Sequence, residues 1–243
     1  MKKKILILIP TLNELENVEP LANKIFSLGL ELDILFIDDN SPDGTGKFLD
    51  KISKNNNNIF VKHFDKRYGI GNAHKTGIRW AYKNRYETLI TMDSDFTHDP
   101  SDILRFLESM NNSDVIVGSR FKNFDKIELN LFRKLLSKSA NLATRFLLDM
   151  PYDSTNAYRL YNLKNIPVEF LDNIYSNSYS FLFESLFLLN CNNISISEIS
   201  VKLYERKSGE TKMRFSDAFK SFTMLFHAFN RKKFNRKSLI INK

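Results

Sequence analysis

The sequence predicts an α/β protein with a mostly parallel sheet covered by helices on both faces. Three observations lead there. Short, mainly aliphatic runs at 5–9, 34–37, 88–92 and 114–118 read as strands buried on both faces. Amphipathic stretches of helical length separate them, joined by short links. Three of the strand ends run straight into acidic residues: Glu14, Asp38-Asp39 and Asp93-Ser94-Asp95. Parallel strands place all three of those loops at one edge of the sheet, where open α/β sheets bind ligands.

The elements follow in order. A strand over 5–9 ends at Pro10, and a helix runs roughly from 15 to 28, stopped by Gly29. A second strand, 34–37, enters the turn-forming stretch Asp38-Asp39-Asn40-Ser41-Pro42-Asp43-Gly44-Thr45. A helix over 46–53, a short strand over 59–63 and a helix over 73–83, opened by Tyr68-Gly69-Ile70-Gly71-Asn72, come next. The strand at 88–92 delivers Asp93 and Asp95, and a helix over 100–110 leads to the strand at 114–118. Beyond it the alternation stops. Residues 131–148 read as an amphipathic helix, 153–159 as a polar segment entering Leu160-Tyr161, and 179–189 as an apolar helix carrying Glu184. A strand over 194–202, a basic loop at 204–212 and an aromatic-rich helix over 215–229 complete the chain. The division expected is a main domain over 1–214 and a basic, aromatic C-terminal segment over 215–243.

Composition narrows the function classes. Apolar residues make up 42% of 243, enough for a sizeable core. The single cysteine, Cys191, excludes an intrachain disulfide framework and a cysteine zinc cluster, and its apolar surroundings suggest a buried, inert thiol. Four histidines show no metal-binding spacing, and only His98, beside the two Asp residues, stays open as a ligand. The net charge of +8 is concentrated: residues 200–243 hold twelve Lys or Arg against three acids. Such a tail suits an anionic partner: a membrane surface, a phosphorylated substrate or a nucleic acid. Residues 5–9 are too short for a secretory leader, and no apolar run approaches the roughly 20 residues that span a bilayer. The expected location is cytoplasmic, with peripheral attachment to the cytoplasmic membrane face.

Two carboxylates at i, i+2 on a strand end can grip one hard divalent cation, which keeps other positions for water and phosphate oxygens. A D-x-D site for Mg²⁺ or Mn²⁺ on a nucleotide diphosphate is one reading of Asp93 and Asp95; an acidic loop with a helix cap at Thr97 or Asp99 is the other. No Ser-His-Asp or paired-carboxylate arrangement stands out elsewhere.

Taken together, the motifs resemble glycosyltransferase family 2, and within it the polyprenyl-phosphate (dolichol-phosphate) mannose synthases. Pro10-Thr11-Leu12-Asn13-Glu14 is similar to the family's P-T-Y-N-E, with Leu12 where Tyr is usual. Residues 38–45 match D-D-N-S-P-D-G-T at every position. Gly69-Ile70-Gly71-Asn72-Ala73 resembles G-L-G-x-A, residues 93–100 resemble D-A-D-L-S-H-D-P, and Gly118-Ser119-Arg120-Phe121 resembles G-S-R-Y. Asp153, Thr155 and Arg159 fit D-x-T-S-G-F-R, with Asn156-Ala157-Tyr158 replacing its middle, and Arg206, Gly209, Thr211 and Lys212 fit R-x-x-G-x-S-K. A further departure is Lys122-Asn123-Phe124-Asp125 where the family often has Gly-Gly.

The resemblance implies a GT-A, Rossmann-like fold and transfer of mannose from GDP-mannose to a polyprenyl (dolichyl) monophosphate with inversion. It implies donor binding by Pro10, Leu12, Glu14, Ile37, Asp39, Met92, Asp93, Ser94, Arg206 and Lys212. It implies metal binding by Asp93, Asp95 and Thr97, and catalytic roles for Asp95, Arg120 and Arg133. The helices at 131–148 and 215–229 are the candidate membrane-surface elements, and a separate membrane subunit is compatible with the lack of spanning segments. The alternatives are a UDP-hexose or aminosugar donor on the same fold, a nucleotide-sugar binder without turnover, and a nucleic-acid binder. The last gives no reason for three acidic strand ends on one edge, so no nucleic-acid partner is expected.

Overall fold

The computed structural model describes residues 4–121, 131–204 and 215–241, with the side chains of 112, 131–137 and 215–216 left out. Among the described residues seven strands form one sheet: β1 (Ile5–Thr11), β2 (Leu32–Asp38), β3 (Ile59–His63), β4 (Thr88–Thr91), β5 (Val115–Ser119), β6 (Arg159–Asn162) and β7 (Ile196–Ser200). Their spatial order is β3-β2-β1-β4-β6-β5-β7. The helices are α1 (Val18–Phe26), α2 (Thr45–Asn55), α3 (Ile70–Lys83), α4 (Asp102–Ser109), α5 (Leu131–Leu148), α6 (Phe181–Cys191) and α7 (Phe215–Phe234).

Side-chain alternation along the strands splits the core in two. Leu6 and Leu8 of β1, Leu35 and Ile37 of β2, and Val115 and Val117 of β5 face a layer built with α3, α6 and α7. Ile7 and Ile9, Ile34 and Phe36, and Ile116 point the other way, onto α1, α2 and α4. The inner strands β1 and β2 and the first residues of β5 are therefore apolar on both faces, which is why these runs read as continuous hydrophobic segments. The all-round apolar α6 is explained in the same way, since residues 181–189 are buried within the protein. Among the described residues no helix is long and apolar enough to cross a membrane.

The expected mostly parallel sheet is present, with one departure. β6 lies between β4 and β5 and runs antiparallel to both, whereas the sequence suggested only a polar segment at 153–159. The four residues of β6 are too few to show a period, and they open on an arginine. Other differences are at element ends. α1 starts at Val18 because residues 14–17 form a turn in which Asn17 and Val18 N–H both donate to the Glu14 carbonyl. α7 continues five residues beyond the expected 229. Cys191 is exposed rather than buried, since it is the last residue of α6, where the helix leaves the core.

Helix α3 approaches the sheet unusually closely at Gly77, where an added Cβ would lie 2.3 Å from a methyl of the fully buried Leu8. Gly77→Ala is expected to cost about 1–3 kcal/mol, the usual penalty for overpacking a tight core. Urea unfolding should show that adding Leu8→Ala costs less than the sum of the two single changes, because the smaller side chain vacates the space. One turn earlier, His74 is completely buried against Phe181, rings stacked 5.2 Å apart, with neither nitrogen hydrogen-bonded among the described residues. Burial, aided by the charge of Arg159, pushes its pKa down to about 3. The unfolded chain thus binds a proton the folded protein refuses between about pH 6.5 and 3, so this group's effect on stability worsens as pH falls through that window. Thermal melts should show a smaller loss of midpoint from pH 7 to pH 4 in His74→Leu than in the wild type.

Candidate active site

β1, β2 and β4 are neighbours and parallel, with Thr11 opposite Asp38 and Leu8 opposite Thr91. Their carboxyl ends therefore open side by side. β5 points the same way, because β6 runs antiparallel to both β4 and β5. Arg120, just beyond β5, thus joins the acidic loops at one edge.

The first two loops brace each other. Asn13 takes a left-handed conformation (φ 55°), which turns the chain across the edge. Its N–H donates to Ser41 Oγ (3.0 Å), that of Glu14 to Thr45 Oγ1 (2.9 Å) and that of Leu15 to Asp43 Oδ2 (3.3 Å). Ser41, Asp43 and Thr45 of the D-D-N-S-P-D-G-T run thus serve the loop that carries Glu14. Burial works to raise the pKa of Asp43, but hydrogen bonds from Thr45 and Leu15 outweigh it and hold the carboxyl below its ordinary value.

Asp39 faces a different partner. Its Oδ1 accepts from Tyr68 N–H (2.6 Å) and its Oδ2 from Gly69 N–H (2.9 Å), while burial holds its pKa above the ordinary value despite them. A carboxylate oxygen has room for a second donor, so Asp39 can still accept from a ligand. Gly69 has φ 92°, and a Cβ at Gly71 would fall 2.6 Å from the Asn177 backbone carbon. These two glycines let the turn before α3 lie directly on the 174–179 loop. That loop is pinned from behind: buried Glu184 accepts from Tyr175 and Ser176 N–H (3.0 and 2.8 Å), and Lys75 donates to the Ile174 carbonyl (2.8 Å).

These elements enclose a cleft of about 520 Å³. Pro10, Leu12, Glu14, Asp39, Asp93, Ser94 and Asp95 line it, so seven of the residues expected at the site come together there. Thr97 is buried beside them; its N–H and hydroxyl both donate to Asp95 Oδ1 (3.1 and 2.6 Å), orienting that carboxylate. Ile37 and Met92 are fully buried in the core just beneath the loops. The side chain of Arg133, and Arg206 and Lys212 entirely, lie outside the described residues, as do Gly209, Thr211 and residues 122–125.

Arg120 is gripped by buried Asp153. Its Nε and a terminal nitrogen reach the two oxygens of Asp153 (2.7 and 2.6 Å), and the same nitrogen donates to Thr155 Oγ1 (2.5 Å). Burial opposes its charge, but Asp153 and the nearby Asp93 more than compensate and raise its pKa further. The guanidinium is thus a fixed positive charge beside the Asp93 loop. His98 is fully engaged: Asp93 N–H donates to its Nδ1 (3.0 Å) and its Nε2 meets Asn156 Oδ1 (2.9 Å). Neither ring nitrogen is left for a metal.

Sequence reasoning missed one wall of the cleft. Arg67 and Tyr68, the 175–179 loop, and Asp217, Lys220, Thr223 and Met224 of α7 also line it. Only the Gly69-Ile70-Gly71 run hinted at any of this; residues 175–179 carry no motif, and α7 looked like a surface helix.

The fold is that of the GT-A glycosyltransferases, and a cleft at the carboxyl edge of their sheet is where the acidic loops gather here. The chain belongs to glycosyl transferase family 2, whose family model matches residues 6–167. It is 32% identical over 212 residues to undecaprenyl-phosphate mannosyltransferase of Micrococcus luteus, covering 86% of this chain and 87% of that one. It is 31% identical over 219 residues to polyprenol monophosphomannose synthase of Mycolicibacterium smegmatis, covering 88% and 83%. Among solved structures, mannosyl-3-phosphoglycerate synthase from Rubrobacter xylanophilus superposes with a TM-score of 0.66 at 14% identity, over 94% of this chain and 73% of that one. The protein is therefore a glycosyltransferase.

Asp153→Ala should leave the largely buried Arg120 guanidinium (12% exposed) without its main counter-charge. The expected cost is about 3–5 kcal/mol, read as a lower urea midpoint with an unchanged m-value.

Proposed function

We propose that this glycosyltransferase moves mannose from GDP-mannose to the phosphate of a polyprenyl monophosphate, inverting the anomeric centre. The observation that carries the reading is the convergence of Glu14, Asp39, Asp93 and Asp95 from three adjacent parallel strands on one cleft. The names of the two relatives support mannose and a polyprenyl phosphate.

Pro10, Leu12, Glu14 and Asp39 would hold the nucleoside, with the Asp39 carboxylate accepting N–H or hydroxyl donors and buried Ile37 supporting the loop from beneath. Asp93 and Ser94 would follow at the diphosphate end, above the buried Met92. Asp93 and Asp95 suit a hard divalent cation, Mg²⁺ or Mn²⁺: they are two oxygen-donor residues at i, i+2, and Thr97 orients one of them. When bound there, a cation would offset the charge that builds on the leaving diphosphate.

The acceptor phosphate, with a second pKa of about 6, is mostly a dianion at neutral pH and needs little help from a general base. One of its oxygens bonds to the anomeric carbon while the bond from that carbon to the donor phosphate breaks, the electron pair leaving with GDP. Fixed cations must hold the two phosphates together. Arg120, held by Asp153 beside the Asp93 loop, would supply one, and the resemblance assigns Arg133, Arg206 and Lys212 to the same task.

The lipid chain calls for a membrane surface. α7 exposes Phe219, Phe222 and Phe226 along one face, and α5 exposes Leu142 and Phe146. The last turn of α7 is basic. Lys220, Thr223 and Met224 of α7 meanwhile line the cleft. Peripheral binding to the cytoplasmic membrane face would keep the polyprenol in lipid with its phosphate in the cleft. A separate membrane subunit would fit the same face.

Incubating the protein with radiolabelled GDP-mannose, polyprenyl phosphate and Mg²⁺ or Mn²⁺ should yield an organic-extractable mannolipid. Asp95→Ala should reduce its formation at least about a hundredfold while the variant stays folded. Product from UDP-sugars and none from GDP-mannose would overturn the donor; no transfer from any donor would overturn the reaction.

A further inference from the structure

We propose that Asn156 is a positioning residue for the Asp93–Asp95 loop and acts on it through His98. The inference rests on the reading of that loop as the cation-binding element.

Three hydrogen bonds run in series through buried groups, and their directions follow from chemistry. A backbone N–H can only donate, so His98 Nδ1 accepts from Asp93 N–H (3.0 Å). The neutral ring then carries its proton on Nε2 and donates it to Asn156 Oδ1 (2.9 Å). At the far end a carbonyl can only accept, so the Asn156 amide nitrogen donates to the Gly118 carbonyl (2.5 Å). The two ends of the series fix the Asn156 amide orientation independently, and they agree. The 3.9 Å separation of the Asp93 carboxylate from Nδ1 is too long to compete with the bond from its own N–H.

The ring cannot slide out of this role. It stacks on Tyr158 (4.8 Å between centroids, 25° between planes), and the Tyr158 hydroxyl donates to the Asp99 carbonyl (2.9 Å). The loop it holds needs holding, because Phe96 adopts a left-handed conformation (φ 62°) that a bulky side chain resists. Two nearby carboxylates also repel each other until a cation arrives. A loop fixed in advance by a neutral relay is ready for the metal without a reordering cost at binding. The anchor carbonyl, Gly118, lies two residues before Arg120, so the same relay sets the spacing between the metal loop and that cation. A serine at 156, as in the family pattern, is too short to bridge ring and carbonyl in this way.

The test measures Mn²⁺ binding to the protein in the presence of GDP, by the further loss of the free-ion EPR signal relative to a protein-free Mn²⁺–GDP control, with no turnover needed. Wild type, Asn156→Ala, His98→Asn and the double variant are compared. His98→Asn keeps an acceptor for Asp93 N–H and cannot reach residue 156. Asn156→Ala should weaken Mn²⁺ binding about 10- to 100-fold and leave metal-free GDP binding unchanged. In the His98→Asn background the same change should have almost no further effect. Unchanged Mn²⁺ affinity in a folded Asn156→Ala, additive effects in the double variant, or an equal loss of metal-free GDP binding would each overturn the relay while leaving the metal site standing. Failure of the wild type itself to bind Mn²⁺ with GDP would overturn the metal-loop reading and the relay with it.

Discussion

The guanidinium of Arg159 has no solvent exposure, and its hydrogen bonds shape the segment on which both halves of the cleft hang. Nε donates to the Asn156 carbonyl and a terminal nitrogen to the Ser154 carbonyl, both at 2.8 Å, while the other reaches Ser185 Oγ at 3.2 Å. A buried charge is costly unless its donors are met, so these carbonyls are committed to it. With the backbone of 154–156 so engaged, the side chains of Asp153 and Asn156 meet Arg120 on one side and His98 on the other. The antiparallel strand β6 is therefore more than a spacer between β4 and β5. Its entry segment joins the cation beyond β5 to the carboxylates beyond β4.

A second hub joins the C-terminal helix to the body. Arg231 of α7 is buried, donates to the Asn173 and Ser238 carbonyls (3.1 and 2.6 Å) and lies over the Tyr175 ring. One of its nitrogens is 3.5 Å from Glu184, the same carboxylate that holds Tyr175 and Ser176. α7 thus contributes to the cleft wall through a buried polar network while its outer face presents phenylalanines. One amphipathic helix supplies both faces: Phe219, Phe222 and Phe226 recur at i, i+3, i+7 on the outside, while Lys220, Thr223 and Met224 turn to the cleft.

Support in this protein comes mostly from residues that never face the cleft. Thr97 orients Asp95, Asp153 grips Arg120, and Asp43 with Thr45 steadies the Glu14 loop. Each pairs a short polar side chain with a backbone or charged group, where fixed geometry matters more than affinity. The motif D-D-N-S-P-D-G-T accordingly divides its labour: Asp39 lines the cleft, while Ser41, Asp43 and Thr45 brace the loop that carries Glu14.

Much of this was legible in the sequence, because parallel strands and their acidic exits are local features. Aliphatic runs flanked by turn residues give the strands, and alternation with helices makes them parallel. That alone puts Glu14, Asp39, Asp93 and Asp95 on one edge, and the motifs supply the family. What the tertiary structure decided is long-range. β6 is too short for its period to show, and its antiparallel direction depends on pairing with two distant strands. The cleft's far wall comes from the 175–179 loop and α7, which approach the acidic loops only through packing across the sheet. Cys191 is exposed because of where α6 leaves the core, which neighbouring residues cannot reveal. The Asn156–His98 pairing joins residues 58 positions apart, a contact that no local pattern encodes and that only the folded sheet brings within hydrogen-bond reach.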